Sequence, residues 1–319
     1  MSTLFASDLH ISEQRRLPDT EAALDFLVNT IIQKQPEYLV LLGDIFDKRK
    51  PTPLELQVFN KFLYRVRGHS EIIVLEGNHD IDRDISTLSY LQDLTVPGVN
   101  VVRPPYVFGS FYLGHEHING AQVGDGFTLS GGKSLDDIIA KYPLCKVFAF
   151  GDFHKPQVLR EAPFCFYAGS LIKTTFAEKN DKKFLWLFDD TVLIDKIEVV
   201  GRNMIQYDVM ILENEDRKPL WGTPEAKELL NGALVKIVYS GTKGALAQVE
   251  EDSVKRYLID NLHVQELRIE YRITDNSKPR NEHINESVSN NNALKEFFND
   301  KDTEYKEEII KAGEELLNE

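Results

Sequence analysis

Clusters of aspartate, asparagine and histidine follow short apolar stretches at five places in the sequence. Carboxylate, amide oxygen and imidazole together suit borderline to hard divalent cations such as Mn²⁺, Fe²⁺ and Zn²⁺. A carboxylate shared by two ions would hold them about 3.5–4 Å apart, a spacing that suits phosphoryl chemistry. The clusters are Asp8-Leu9-His10, Gly43-Asp44-Ile45-Phe46-Asp47, Gly77-Asn78-His79-Asp80, Gly114-His115-Glu116-His117 and Gly151-Asp152-Phe153-His154.

Any one of these clusters has an ordinary structural explanation. Gly-Asp after a strand is often only a turn, and Asn-His-Asp can cap a helix. Five clusters in succession are harder to explain in this way, since five of the eight histidines directly follow an apolar stretch. In the two Asp-x-His pairs we expect both side chains to point the same way, because residues two apart in an extended chain do so. The pattern predicts a metal centre.

The apolar stretches that precede the clusters predict strands, and the segments between some of them predict helices. A helix is predicted at 19–34, because Leu24, Leu27 and Ile31 fall on one face, and a second at 54–65. Alternating strands and helices predict an α/β protein whose polar turns gather along one edge of the sheet, where ligands bind. The predicted strands are 3–6, 38–42, 72–75, 106–113, 147–150 and 164–168, and a strand pair at 184–200 closes the first domain.

The chain beyond residue 200 predicts a smaller domain and a tail. Strands at 209–212, 233–239 and 264–271, with helices at 224–230 and 251–261, predict an α+β domain over 201–275. Residues 276–319 predict a polar linker followed by two short amphipathic helices. Residues 281–319 contain four basic and eleven acidic residues, a net charge of −7.

The five clusters, in this order, resemble the motifs of the calcineurin-like metallophosphoesterase superfamily. The match is closer to one branch, the SbcD-type nuclease subunits and their bacteriophage recombination-endonuclease relatives. Three features carry it: Lys48-Arg49-Lys50 after the second cluster, Asn119-Gly120 after the fourth, and Lys155-Pro156-Gln157 after the fifth with the strand that ends Gly169-Ser170-Leu171-Ile172. The resemblance covers residues 3–195. It implies an α/β sheet sandwich flanked by helices, with the smaller α+β domain as a cap and a helical C-terminal tail.

The resemblance implies a two-metal site with Asp44 as the bridging ligand. It assigns one ion to Asp8, His10, Asp44 and His154. It assigns the other ion to Asp44, Asn78, His115 and Asp152. His79 would stabilise the transition state or protonate the leaving 3′ oxygen, Asp80 would orient His79, and Asp47 would support the ligands by a hydrogen bond.

The sequence departs from the superfamily pattern at two points. Much of the superfamily has Gly-His-x-His as its final motif, whereas this chain has Asp152 in place of the first histidine. A carboxylate can replace imidazole as a hard ligand, so we expect Asp152 at the second metal and His117 beside it, on the substrate side. The segment between His79 and His115 is also short, which indicates a trimmed sheet edge.

Two functions fit the resemblance. The first is a metal-dependent DNA exonuclease and endonuclease, the nuclease subunit of an SbcCD-type repair and recombination complex with an SMC-type, SbcC-like ATPase. The alternative is a stand-alone phosphoesterase that acts on a small phosphodiester or a phosphoprotein. More than a hundred residues after residue 200, and basic residues beside the motifs, favour the nuclease. The basic residues are Lys48, Arg49, Lys50, Lys155, Lys173, Lys179, Lys182 and Lys183.

Composition and charge narrow the possible partners and location. The net charge of −14 argues weakly against tight DNA binding by this chain alone, because phosphate contacts need basic side chains. No stretch approaches the roughly 20 apolar residues of a membrane span, and the first residues contain no signal segment, so we expect no membrane association and a cytoplasmic location. Cys145 and Cys165 lie in apolar stretches and are interpreted as core thiols.

Three further expectations concern the metal and the protein partners. Mn²⁺ is the expected ion at both sites, with Mg²⁺, Fe²⁺ and Zn²⁺ as alternatives. A homodimer is expected through the helix at 54–65, by means of Leu56, Phe59, Phe62 and Leu63, although these residues could instead pack on the sheet. The C-terminal tail is expected to bind the coiled coil of the ATPase.

Overall fold

The computed structural model describes residues 1–83, 85–93, 97–123, 127–128, 130–212 and 223–274. The chain divides into two compact units. The first comprises Met1–Gln206, Trp221–Lys236 and Lys255–Arg268, and the second comprises the described parts of Tyr207–Leu220, Ile237–Val254 and Ile269–Glu319. The division of function at residues 200 and 275 stays a prediction.

The chain alternates strands and helices through the first unit, as predicted. The helices are α1 Leu17–Lys34, α2 Pro53–Val66, α3 Ser89–Asp93, α4 Leu135–Lys141, α5 Pro224–Leu230, α6 Lys243–Leu246 and α7 Glu251–Arg256, with a 3-10 turn at Phe176–Glu178 and a π-helical turn at Tyr257–Asn261. The strands are β1 Ser2–Ala6, β2 Tyr38–Leu41, β3 Glu71–Leu75, β4 Ile81–Asp82, β5 Ile85–Ser86, β6 Val99–Val102, β7 Tyr106–Phe108, β8 Phe111–His115, β9 Gln122–Val123, β10 Phe127–Thr128, β11 Val147–Gly151, β12 Gln157–Glu161, β13 Phe164–Tyr167, β14 Lys183–Asp189, β15 Val192–Val199, β16 Met204–Ile211, β17 Leu234–Gly241 and β18 Glu266–Ile273.

Two larger sheets form the framework of the first unit. One has the order β15-β14-β1-β2-β3-β6, in which β1, β2, β3 and β6 are parallel. The other has the order β12-β13-β11-β8-β7, in which β13, β11 and β8 are parallel. The sheet sandwich flanked by helices is therefore confirmed.

Side-chain alternation along the strands explains the layering. In β1, Leu4 packs with the helices α1 and α2, whereas its neighbour Phe5 packs in the core that contains residues of both sheets. Successive side chains of a strand point to opposite faces, so one short strand supplies both cores. Aromatic rings fill the core between the sheets, and Phe166 lies 4.6 Å from Trp186 by ring centroids.

Helix α2 begins at a local signal that the sequence contains. The Thr52 hydroxyl accepts a hydrogen bond from the Glu55 backbone N–H, and the Glu55 carboxylate accepts one from the Thr52 N–H. This reciprocal cap satisfies two backbone donors that the first helical turn leaves free. Pro53 at the first helical position needs no such partner.

The predicted dimer surface on α2 is wrong. Phe59, Phe62 and Leu63 are buried in the core beneath the helix, and Leu56 is partly buried against the same core. These residues therefore face the sheet, and they are not available to a second copy of the chain. The homodimer stays a prediction without an assigned surface.

The structure differs from the sequence-based expectations in three elements. The predicted strand at 106–113 is a hairpin of β7 and β8, in which Phe108 pairs with Phe111. Helix α4 and strand β12 were not predicted. The polar turns also follow strands of two sheets, whereas we expected them along one edge of one sheet.

Beyond β15, the strands β16, β17 and β18 form a three-stranded sheet. In the second unit Tyr239 and Tyr271 stack with ring centroids 5.9 Å apart, and the Tyr271 hydroxyl donates to Glu251. The linker and helical tail predicted for 276–319 lie outside the described residues. Among the residues described, no helix is long and apolar enough to cross a membrane. Cys145 and Cys165 are free and buried, as expected.

Candidate metal centre

The carboxyl ends of strands from both sheets meet at one place. Asp8, Asp44 and Asn78 follow β1, β2 and β3 of the first sheet, and Asp152 follows β11 of the second. The Asp152 backbone N–H donates to Asp8 Oδ1 across 3.1 Å, although 144 residues separate the two. The clusters are therefore neighbours in space.

The first predicted ligand group converges around His10. Its Nε2 lies 3.9 Å from Asp8 Oδ1 and 3.8 Å from Asp44 Oδ2. The Nε2 atoms of His10 and His154 face each other at 3.0 Å. These four side chains thus direct their ligand atoms to a common point.

The second predicted group converges around His115. Its Nε2 lies 3.3 Å from Asp44 Oδ1, 3.1 Å from Asn78 Oδ1 and 3.9 Å from Asp152 Oδ1. The two oxygens of Asp44 therefore face different histidines, Oδ2 towards His10 and Oδ1 towards His115. A carboxylate that bridges two ions needs this arrangement, and the bridging role of Asp44 stays a prediction.

The chemistry of these side chains fits divalent cations. Three overlapping groups of ligand atoms each lie within 4.8 Å of one another, and they contain Asp8, Asp44 and Asp47 with four histidines. Buried carboxylates are costly unless a cation compensates them, and burial raises the pKa of Asp8. Burial also lowers the pKa of His10 to about 3, so the ring is neutral and offers a lone pair. Its Nδ1 is buried without a hydrogen-bond partner.

Two of the histidines are held through the nitrogen that faces away from the centre. His115 Nδ1 lies 2.7 Å from the Leu42 carbonyl oxygen, and His154 Nδ1 lies 3.2 Å from Glu178 Oε1. An acceptor at Nδ1 keeps the proton there and leaves Nε2 free as a metal ligand. Sequence analysis missed Glu178, whose only signal is the spacing Thr175-x-x-Glu178, typical of a capping box.

The predicted role of Asp80 is wrong. Its carboxylate oxygens accept hydrogen bonds from the backbone N–H groups of Ile45, Phe46 and Gly77. His79 Nδ1 instead lies 2.7 Å from the Asp47 carbonyl oxygen. The backbone of Asp47 therefore orients His79, while Asp80 ties the turn after β3 to the turn after β2. Burial raises the pKa of Asp80 to about 7.

His117 contacts Asp152 from the outer side. Its Nε2 lies 2.6 Å from Asp152 Oδ2, whereas Asp152 Oδ1 is the atom nearer His115. The His117 side chain is 59% exposed, and its ring lies against Phe153 at 5.0 Å. Asp152 therefore stands between His117 and the remaining candidate ligands, and its assignment to the second metal stays a prediction.

Several candidate ligands have a left-handed backbone. The φ angles of Asp8, His10, Asp44 and Asp152 are +50°, +42°, +51° and +91°. This conformation costs on the order of 1–2 kcal/mol per residue for side chains other than glycine, and such strain concentrates at functional sites. The expected reason for the convergence of Asp8 and His10 is therefore wrong: the pair is brought together by a kinked backbone and not by an extended strand.

Glycines allow the close approach of the turns. Gly43 has φ +92°, and a Cβ atom there would collide with the His115 ring. A Cβ atom on Gly77 would collide with Asp44. The glycines of the second and third clusters are thus required by packing around Asp44 and His115.

Basic side chains border the centre where β2 ends. Lys48, Arg49 and Lys50 are exposed directly after Asp47, and Arg15 Nε lies 3.1 Å from Asp47 Oδ2. Lys183 is different, because it is buried against Glu178. Its place among the basic residues that favoured a nuclease is therefore a misassignment, since it cannot contact DNA.

Curated relatives of the chain are nuclease subunits. The SbcD subunit of nuclease SbcCD from Escherichia coli (strain K12) is 28% identical over 99 residues, which cover 30% of this chain and 24% of that protein. The protein of the same name from Bacillus subtilis (strain 168) is 32% identical over 97 residues, covering 28% of this chain and 25% of that protein. The matched part of this chain spans about a quarter of the length of these relatives.

Two solved structures are also similar. Nuclease MPE of Pseudomonas putida has 19% identity and a TM-score of 0.37, and the match covers 58% of this chain and 84% of that chain. The protein TT1561 of Thermus thermophilus has 14% identity and a TM-score of 0.41, and the match covers 62% of this chain and 99% of that chain.

The family comparison covers most of the sequence. The family described as Calcineurin-like phosphoesterase matches residues 1–230. This span contains all five polar clusters and both sheets that position them. The chain therefore belongs to the calcineurin-like phosphoesterase family.

Proposed function

We propose that this protein is a metal-dependent DNA nuclease with exonuclease and endonuclease activity, the nuclease subunit of an SbcCD-type repair and recombination complex. The observation that carries the proposal is the convergence of Asp8, His10, Asp44, Asn78, His115, Asp152 and His154 from five strand ends. The matches to the SbcD subunits of nuclease SbcCD support DNA as the substrate.

The seven residues are proposed as ligands of two ions. His10 and His154 belong to one ion, Asn78, His115 and Asp152 belong to the other, Asp8 joins the first, and Asp44 bridges them. We expect Mn²⁺, because this mixture of carboxylate, amide and imidazole suits it. When bound, the ions supply Lewis acidity and a nucleophile at neutral pH.

His79 is proposed to act on the substrate. The Asp47 carbonyl holds its Nδ1–H, so a protonated ring presents Nε2–H to the leaving 3′ oxygen. Its ring centroid lies 5.2 Å from that of His10, which places it beside the candidate ligands. A positioned histidine that donates a proton in this way contributes about 10²–10⁴-fold to the rate.

The remaining parts of the chain are proposed to bind DNA and the partner. Lys48, Arg49 and Lys50 border the centre and are placed to meet phosphates. Residues 201–275 would form a capping and DNA-binding domain, and residues 276–319 would bind an SMC-type, SbcC-like ATPase. The net charge of −14 agrees with a subunit that relies on such a partner to hold DNA.

A comparison of substrates tests the proposal. Cleavage of labelled DNA and of bis-p-nitrophenyl phosphate would be measured with Mn²⁺, with and without a co-expressed ATPase subunit, beside an Asp44→Asn preparation that detects contaminating nuclease. We expect Mn²⁺-dependent DNA cleavage that Asp44→Asn lacks. Hydrolysis of the small diester without DNA cleavage under either condition would favour the alternative, a stand-alone phosphoesterase for a small phosphodiester or a phosphoprotein.

A further inference from the structure

A buried ion pair lies behind His154, on the side away from the other candidate ligands. Lys183 Nζ lies 2.6 Å from Glu178 Oε2, and the two side chains are only 3% and 5% exposed. Lys183 Nζ also donates to the His154 carbonyl oxygen and to Ser170 Oγ, each across 2.8 Å. All three acceptors around the ammonium group belong to the framework that holds His154.

The second oxygen of Glu178 faces the imidazole. Glu178 Oε1 lies 3.2 Å from His154 Nδ1 and accepts hydrogen bonds from the Thr174 hydroxyl and the Thr175 backbone N–H. The Thr174 hydroxyl oxygen also lies 3.1 Å from His154 Nδ1. Because the Thr174 hydrogen is directed to Glu178, both oxygens near Nδ1 are acceptors, and the ring nitrogen must carry the proton.

Stability alone does not account for this pair. Removing two charges from water is expensive, and an apolar pair of similar volume often stabilises a fold as well or better. A short turn such as Phe176–Glu178 could be held by its threonine caps without a buried lysine. The geometry that needs the charge is the contact with His154.

We propose that Glu178 is a positioning residue for His154, fixing the ring and its Nδ1–H tautomer so that Nε2 faces the ion, while Lys183 holds the carboxylate in place. The proposal rests on the metal-dependent function proposed above. His115 receives the same support from the Leu42 carbonyl, which no side-chain substitution removes. At His154 the support comes from a side chain and can be tested.

The tautomer can be measured without any metal. In the metal-free wild-type protein labelled with ¹⁵N-histidine, the His154 nitrogen shifts should report a proton on Nδ1 and none on Nε2. His154→Gln identifies the signals. A neutral His154 that carries its proton on Nε2 would overturn the proposal, whatever the variants show.

Variants then test the effect on metal binding. Glu178→Met with Lys183→Met removes both charges, so no unpaired charge stays buried. We expect a mixture of His154 tautomers and Mn²⁺ binding about 10–100-fold weaker by titration calorimetry, the usual effect of losing such a partner. Glu178→Gln with Lys183→Met keeps an acceptor at this position, and it should retain the Nδ1–H tautomer and lose less affinity.

The matched control is a neighbouring ion pair on the surface. Lys182 Nζ lies 2.9 Å from Glu198 Oε2, and both side chains are exposed. Lys182→Met with Glu198→Met should leave the tautomer and the Mn²⁺ affinity unchanged. Wild-type tautomer and affinity in the folded Glu178→Met, Lys183→Met protein would show that the pair only supports the fold. Absence of Mn²⁺ binding by the wild type would instead refute the proposed function, since the tautomer is measured without metal.

Discussion

Asp44 lies between the two groups of candidate ligands, with one carboxylate oxygen towards His10 and the other towards His115. The hydrogen bond and the charge of His115 lower the pKa of Asp44 although burial opposes this. Asp44→Asn should therefore remove the bridge, reduce the bound Mn²⁺ and abolish hydrolysis of bis-p-nitrophenyl phosphate. Elemental analysis and the hydrolysis rate check this. The exposed Asp137→Asn is the control, and at most one ion per wild-type chain under Mn²⁺ saturation would refute the two-metal site.

His79 is held by a backbone carbonyl and not by a carboxylate. We expect His79→Ala to keep both ions and to lose roughly 10²-fold or more in turnover, because a proton donor is lost and no ligand is. Calorimetric Mn²⁺ titration and steady-state kinetics separate the two effects. His69→Ala, at an exposed histidine outside the centre, should match the wild type. Loss of metal from His79→Ala would make it a ligand.

Asp152 and His117 touch each other, and only one of them also faces His115. Asp152→Ala should lose the second ion, whereas His117→Ala should weaken its binding by a smaller factor, because His117 acts through Asp152. Stoichiometry by elemental analysis distinguishes the two variants. The reverse order of effects would assign the second metal to His117.

The turns that follow the strands are the elements that build the centre, and their glycines are required by contacts between turns. A Cβ atom on Gly77 would meet both the side chain and the backbone of Asp44, whereas one on Gly201 would meet no atom within 4 Å. Gly77→Ala should therefore lose about 1–3 kcal/mol of the free energy of unfolding, the usual cost of overpacking, and should bind Mn²⁺ more weakly. Urea denaturation of the metal-free protein and Mn²⁺ titration measure these changes. If Gly77→Ala and Gly201→Ala behave alike, the close approach to Asp44 is not essential.

At the scale of the whole molecule, half of the net charge lies in the last 39 residues, 281–319. So acidic a segment would repel DNA, while Leu294, Phe297 and Phe298, and separately Tyr305, Ile309 and Leu316, have the spacing of apolar helix faces. Short isolated helices of this kind are unstable until they bind a surface. These properties favour a protein partner.

Deletion of residues 293–319 should abolish co-purification with the ATPase subunit and leave Mn²⁺-dependent hydrolysis of bis-p-nitrophenyl phosphate unchanged. Phe297→Ala with Phe298→Ala should weaken the association, and Asn290→Ala with Asn291→Ala in the linker is the matched control. Wild-type stoichiometry of the complex after the deletion would place the binding surface elsewhere in the chain.

The sequence by itself determined the α/β class, most strand and helix positions, and the set of residues that could bind metal. These properties are local, since each polar cluster directly follows its strand and each cap lies within a few residues of its helix. The helix at 224–230 and the strand pair near 184–200 were found from such local patterns.

Only the tertiary structure decided how the clusters meet and which residues support them. Asp152 donates to Asp8 across 144 residues, and Glu178 reaches His154 across 24. The same is true of the apolar face of α2, whose spacing could not distinguish a core from an interface, and of Asp80, whose partners lie in another turn. Periodicity and spacing describe a residue's neighbours along the chain, whereas burial, backbone strain and hydrogen bonds at this centre depend on segments that become neighbours only when two sheets pack together.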